Sequence, residues 1–297
     1  MKILLLGKNG QVGWELQRSL APLGELIALD RQVVDGLCGD LSDLEALRST
    51  IRQVKPDVIV NAAAYTAVDK AEFETDLADR VNGQASKVMA EEAEMLGAWL
   101  IHYSTDYVFS GQGSTPWQET DAVAPVNQYG ASKLAGEQAI IASGCKYLIF
   151  RTSWVYAARG NNFAKTMLRL AKDRETLSVI ADQIGAPTGA DLIADVTALA
   201  ILQAVKRDEL VGIYHLASGG EVSWHGYASH VIKFARANGE ALAVTAVNPI
   251  ETTAYPTPAR RPLNSRLNTQ KLRDNFCLHL PDWQSGVTRM LREVLNK

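Results

Sequence analysis

The sequence predicts an α/β protein built on a doubly wound parallel sheet, with a smaller, interleaved α/β lobe. Three observations predict it. Short apolar runs alternate with longer stretches of helical spacing from Met1 to Thr152, the pattern of parallel strands joined by crossover helices. The first run, Ile3 to Leu6, passes through glycines at Gly7, Gly10 and Gly13 straight into a helical stretch, Gln11 to Leu20. Such a turn presents free N–H groups and the positive end of a helix dipole, and bare glycine backbone lets an anion approach. The next strand, Leu26 to Leu29, ends in Asp30, where an acid is suited to take a ribose hydroxyl. Strand, glycine turn, helix and acid together describe a Rossmann-type dinucleotide site.

The remaining elements follow in order. Ser42 to Glu45 has a capping-box pattern, so a helix is expected from there to Val54. Asp57 to Asn61 reads as a buried strand, and small residues follow it, Ala62 to Ala64, then Tyr65 and Thr66. In a doubly wound sheet that loop borders the crevice at the carboxyl edge. Ala85 to Leu96 has helical spacing with Gly97 as its C-cap, and Trp99 to Tyr103 is the next strand. After a loop rich in Gly, Pro and Ser, a helix is expected from near Asn127 to about Ala142, then a strand from Lys146 to Thr152. Beyond Ser153 the alternation loosens. Helices are expected at Asn162–Lys172, Ala190–Val205, Trp224–Asn238 and Trp283–Leu295, and strands at Leu177–Ile180 and Ile213–Leu216. Residues 1–152 are therefore expected to form the dinucleotide-binding domain, with later segments returning to it, and residues 153–297 mainly the substrate lobe.

Composition narrows the function classes. The chain has 297 residues, 47% hydrophobic and 21% charged, with a net charge of −3. No basic surface recommends nucleic acid, and no apolar run approaches the roughly 18 residues of a membrane span. The three cysteines, Cys38, Cys145 and Cys277, are odd in number and far apart, which points to a reducing, cytoplasmic setting. The five histidines are scattered, so no metal-ligand set is expected among them.

The chemistry centres on Tyr129 and Lys133, four residues apart and so on one helix face. A free phenol titrates near pH 10, and a neighbouring ammonium favours its phenolate and brings that value down. Such a pair passes a proton to or from a carbonyl oxygen. Ser104 and Thr105 leave the end of the preceding strand, and Thr105 is suited to set a hydroxyl beside the same oxygen.

These residues resemble the short-chain dehydrogenase/reductase superfamily, in its extended, nucleotide-sugar branch. Within it the chain is similar to the dTDP-4-dehydrorhamnose reductase family along its whole length. The blocks that carry the likeness include Gly7–Gly13, Val60–Ala64, Thr66–Glu72, Tyr103–Phe109, Tyr129–Glu137, Arg151–Tyr156 and Pro258–Asn264. The resemblance implies reduction of a dTDP-linked 4-keto sugar to dTDP-β-L-rhamnose, with NADPH or NADH as cofactor. By the same resemblance Tyr129 is the proton donor, Lys133 holds the ribose, and Thr105 with Asp106 touches the sugar. Trp154 lines the sugar pocket and Arg261 meets the diphosphate. Gln11, Val12, Asp30, Asp40, Leu41, Ala64, Tyr65, Thr66 and Tyr103 fall at dinucleotide contacts, beside Gly7, Gly10 and Gly13. Mg2+ and a homodimer are also family expectations. Three alternatives stay open: another nucleotide-sugar ketoreductase, an epimerase or dehydratase of the branch, and a non-catalytic regulatory subunit that binds a dinucleotide.

Overall fold

Residues 1–296 are described by a computed structural model; Lys297, the end of the second expected segment, lies outside them. Six parallel strands form the central sheet. They are β1 (Lys2–Leu6), β2 (Glu25–Leu29), β3 (Val58–Asn61), β4 (Trp99–Thr105), β5 (Lys146–Thr152) and a late one, β7 (Gly212–His215). Their order is β7-β5-β4-β3-β1-β2, and every pairing is parallel. Between β2 and β3 runs α2 (Leu44–Val54), as α1 (Gln11–Leu20) does between β1 and β2. Helices α3 (Ala85–Leu96) and α4 (Gln128–Ser143) precede β4 and β5.

The apolar runs are continuous because both faces of the sheet are covered. Side chains alternate across a strand. Ile3 and Leu5 thus enter one core with Val58, Val60, Ile101 and Phe150. Leu4 and Leu6 enter the other with Ile59, Leu100 and Ile149. All these side chains are fully buried, each worth about 1.5–3 kcal/mol of transfer free energy.

After β5 come α5 (Phe163–Asp173), β6 (Thr176–Ile180) and α6 (Ala190–Ala204), which returns to pack on α1. Then follow β7, α7 (Trp224–Ala237), β8 (Ala246–Ile250), α8 (Gln270–Phe276) and α9 (Trp283–Leu295). A third core, with Met167, Leu168, Tyr227, Val231, Trp283 and Leu291, joins α5, α7 and α9.

Several expectations change. The capping box shifts by one residue: Asp43 is the N-cap of α2 and accepts from the Ala46 N–H, while Ser42 donates to Asp40. The segment before α3 is not loop. It holds short helices at Val68–Ala71 and Thr75–Asp79 and a π-helical turn at Arg80–Gln84. Strand β8, which carries Pro249 and pairs in parallel with β6, and helix α8 had no clear pattern in the sequence. A proline donates no ladder bond, so it hides a strand from propensity while remaining tolerable at an edge.

Candidate active site

The carboxyl ends of β1 to β5 share one edge, and the strand order reverses between β1 and its neighbours β2 and β3. Such a switch point is where an open α/β sheet leaves a crevice. Gly7 and Ala62–Ala63 face each other there. Gly7 holds φ +87°, and a Cβ on it would stand 2.7 Å from the Ala63 nitrogen. A Cβ on Gly13 would overlap the Gly7 carbonyl, so those two glycines are required by packing alone. Gly10 differs. It is the N-cap of α1, no side chain caps that end, and its own missing Cβ faces open space, with Gly7 O nearest at 3.4 Å. Half-buried Gln11 and Val12 form the first turn behind it.

Asp30 leaves β2 at this edge. Its carboxylate accepts from the Gln32 N–H at 2.9 Å and from the Asn9 amide. The Gly39 N–H donates to the Asp30 carbonyl at 3.0 Å, which brings Asp40 and buried Leu41 alongside. Asp40 itself is held by the Ser42 N–H and hydroxyl. Past β3, Ala64 is half-buried and Thr66 exposed. The Tyr65 hydroxyl donates to Glu74 at 2.6 Å, a bond that pushes the phenol up to about 12.

Helix α4 carries the two residues expected to handle the proton. Asn127 caps it, accepting from the Gly130 N–H at 2.8 Å, and Tyr129 and Lys133 lie on its inner face. The Tyr129 phenol is pushed up to about 12 by burial first and by the Asp106 charge second, with the nearby Thr105 hydroxyl acting the other way. The expected depression by Lys133 is absent, because the amine points elsewhere. Lys133 Nζ donates to the Tyr103 carbonyl at 2.6 Å and lies 3.2 Å from His102 Nε2. Burial brings that amine down to about 8, opposed by Glu137.

Thr105, at the end of β4, donates to Asp106 Oδ1 at 3.1 Å and accepts from the Tyr107 N–H. Asp106 is buried, its Oδ2 has no partner, and desolvation pushes the carboxyl up to about 7. The Tyr107 ring meets Tyr129 edge-on at 5.7 Å. Arg261 lies near this same wall, where its charge acts on the Tyr107 phenol, but its guanidinium is paired with Asp69 at 2.7 Å rather than free for a diphosphate. Trp154 stacks on Trp224 at 3.6 Å and takes φ +49°, a conformation uncommon for a bulky residue and typical of functional loops.

Two expectations change in the structure. The Tyr103 hydroxyl is engaged with Thr197 on α6 at 2.8 Å and its carbonyl accepts from Lys133, so neither polar group of this residue is free for a dinucleotide. Mg2+ finds no support, since among the described residues no three His, Cys, Asp or Glu side chains converge.

Sequence reasoning missed Asn82, His102 and Asn61. Buried Asn82 sits in the π-helical turn, bonds both backbone groups of Tyr65 and donates to Ser132 on α4. It thereby fixes the Ala62–Thr66 loop against α4. Its only signal was an Asn-Gly pair, which reads equally as a turn. His102 lies inside a strand that periodicity assigns wholly to core.

Comparison with known proteins identifies the family of this fold. The model of the RmlD substrate binding domain family matches residues 1–296. The dTDP-4-dehydrorhamnose reductase of Shigella flexneri is 61% identical over 294 residues, covering 99% of this chain and 98% of that protein. The crystal structure of a dTDP-4-dehydrorhamnose reductase from Clostridium acetobutylicum superposes with a TM-score of 0.89 at 34% identity, covering 100% of both chains. The Bacillus anthracis dTDP-4-dehydrorhamnose reductase in complex with NADP superposes at 0.86 and 37%, covering 98% and 99%.

Proposed function

Since the chain belongs to the RmlD substrate binding domain family, and relatives 50% to 61% identical to it are dTDP-4-dehydrorhamnose reductases, we propose the following mechanism. The protein is an NAD(P)H-dependent oxidoreductase, reducing dTDP-4-dehydro-β-L-rhamnose to dTDP-β-L-rhamnose. When bound, the reduced dinucleotide supplies the hydride for sugar C4. The residues fit it: Gly7 and Gly13 keep the turn free of side chains, and Gly10 leaves the first turn of α1 uncapped for a pyrophosphate.

The observation that carries the reading is the placement of Tyr129 on the inner face of α4, one turn before Lys133 and beside the Thr105 end of β4, with its ring against Tyr107. Reduction needs an acid that still holds its proton at neutral pH, and burial keeps this phenol in that state. Tyr129 gives its proton to the forming alkoxide at C4, while Thr105 donates to the same oxygen and steadies the charge. Lys133, one helical turn on, is assigned to the nicotinamide ribose. Asp106, Trp154 and Arg261 are assigned to the sugar and its diphosphate, with Arg261 exchanging Asp69 for the ligand.

Residues 1–152 with β7 and α6 form the dinucleotide half in this reading, and 153–297 supply most of the sugar half. Free thiols at Cys38, Cys145 and Cys277 support a cytoplasmic setting, and a homodimer is carried as the assembly, checked by sedimentation. The test mixes purified protein with NADPH or NADH and enzymatically made dTDP-4-dehydro-β-L-rhamnose. Loss of the reduced-nicotinamide absorbance is expected, with the C4 configuration of dTDP-L-rhamnose by NMR. No oxidation, or the opposite configuration, overturns it.

A further inference from the structure

Behind the site, four polar groups stand in single file. Asn61 of β3 and His102 of β4 are register partners on adjacent strands, each 1% exposed. Asn61 Oδ1 accepts the Ala63 N–H at 3.1 Å. That bond needs an oxygen, so it fixes the amide orientation and turns Nδ2 toward His102 Nδ1 at 3.2 Å. An amide nitrogen only donates, so Nδ1 must accept, and a neutral imidazole then carries its hydrogen on Nε2. Nε2 lies 3.2 Å from Lys133 Nζ, whose other partner is the Tyr103 carbonyl at 2.6 Å. An ammonium has three hydrogens and no lone pair. Against it, Nε2–H would meet hydrogen with hydrogen. An uncharged amine satisfies both contacts, accepting from His102 and donating to Tyr103.

We propose that His102 is a positioning residue that couples the charge of Lys133 to its own tautomer. The amine state goes with Nε2–H, and the ammonium state requires Nδ1–H. The second state turns the Asn61 amide, which withdraws the acceptor from the Ala63 N–H. The charge on Lys133 is thereby tied to the Ala62–Thr66 loop at the crevice edge. The proposal rests on Lys133 being the ribose-side group of the reductase reading.

An imidazolium does not relieve the conflict. It would place a hydrogen against Asn61 as well, and burial and the Lys133 charge hold His102 well below its usual range. The other groups facing Lys133 are Tyr129 and Glu137 on α4, the latter paired with Arg151 of β5, and Tyr103 on β4. Glu137 favours the ammonium and burial opposes it, leaving Lys133 near 8. Both charge states are therefore reachable close to neutral pH.

The first test needs no cofactor. Long-range proton–nitrogen correlation spectra of the wild-type imidazoles, from about pH 6 to 9, are compared with those of His102→Gln to assign the His102 signals. Nε2–H is expected on the alkaline side, passing to Nδ1–H as pH falls and Lys133 gains its proton. A single tautomer throughout overturns the coupling. The second test follows kcat/KM for the dinucleotide against pH. Glutamine can turn its oxygen to an ammonium, so His102→Gln should move the alkaline limb up by about one unit. An unchanged limb overturns the proposal, since loss of packing alone would lower rates without moving it. If His102→Gln does not fold, His102→Asn serves for assignment and the wild-type tautomer decides. Absence of turnover in the wild type would count against the reductase reading and leave the tautomer result standing.

Discussion

Arg151 grips Glu137 with two parallel hydrogen bonds, Nε to Oε1 at 2.9 Å and Nη2 to Oε2 at 2.6 Å, and both side chains are at most 3% exposed. The pair ties β5 to α4 one turn beyond Lys133, and the guanidinium also lies 5.0 Å over the Phe109 ring. Removing one partner strands a buried charge. Glu137→Gln should therefore cost about 3–5 kcal/mol by denaturant unfolding, and Arg151→Met with Glu137→Leu should recover much of it. A single variant within 1 kcal/mol of wild type would show that water reaches the pair.

Tyr129→Phe removes the acid and keeps the ring against Tyr107. Turnover should fall by roughly 10²-fold or more, with dinucleotide affinity within a few-fold of wild type. The check is steady-state kcat beside fluorescence titration of NADPH. Turnover within threefold of wild type would move the acid elsewhere, with Asp106 the next buried group in reach.

The glycine triplet divides into two roles. Gly13→Ala drives a methyl into the Gly7 carbonyl, and Gly10→Ala meets nothing closer than 3.4 Å. The first should lower Tm markedly. The second should cost no more than about 1 kcal/mol yet weaken dinucleotide binding, because its methyl fills the space over the helix end. Equal loss of Tm in both would contradict this division.

Asp106 makes stability depend on pH in a stated direction. Its carboxyl rises from an ordinary 3.8 to about 7 on burial. Between those values the folded chain keeps a proton that the unfolded chain releases, so stability falls as pH rises through the window and levels off above it. The full shift corresponds to a ceiling on the order of 4 kcal/mol. Asp106→Asn lacks this loss. Its Tm advantage over wild type should grow from pH 4 to 7 and then stay constant; an advantage independent of pH would mean the carboxylate is solvated.

The sheet was legible in the sequence because buried parallel strands leave continuous apolar runs, and Ile3–Leu6, Val58–Asn61 and Lys146–Thr152 are such runs. The glycine turn and the Tyr129–Lys133 spacing were legible because their chemistry is local. What stayed hidden depends on distant contacts. Nothing near Lys133 in sequence says that its amine will meet His102 and Tyr103 on another strand. Arg261 read as a free cation because its partner, Asp69, comes from a short helix far away in the chain. Pro249 concealed β8, and its pairing with β6 could be seen only in three dimensions.

In the proposed reaction, cofactor choice is expected to turn on Asp30. Its carboxylate is already held by Asn9 and by the Gln32 N–H, so it is aimed before any ligand arrives. A carboxylate in that position accepts from ribose hydroxyls and repels a 2′-phosphate. The adjacent Arg31 is exposed and can offset the repulsion, so the wild type should use both dinucleotides. Asp30→Ala removes the hydroxyl partner and the repulsion together, and leaves Arg31 in place. The ratio of kcat/KM for NADPH over NADH should then rise by about tenfold or more, a difference of roughly 1.4 kcal/mol. The rise should come from a higher KM for NADH and a lower one for NADPH, with kcat nearly constant for both, because the adenosine ribose is remote from the hydride. A ratio that does not move would mean that Asp30 serves the Asn9 turn alone, and that the choice lies with Lys8 or Arg31.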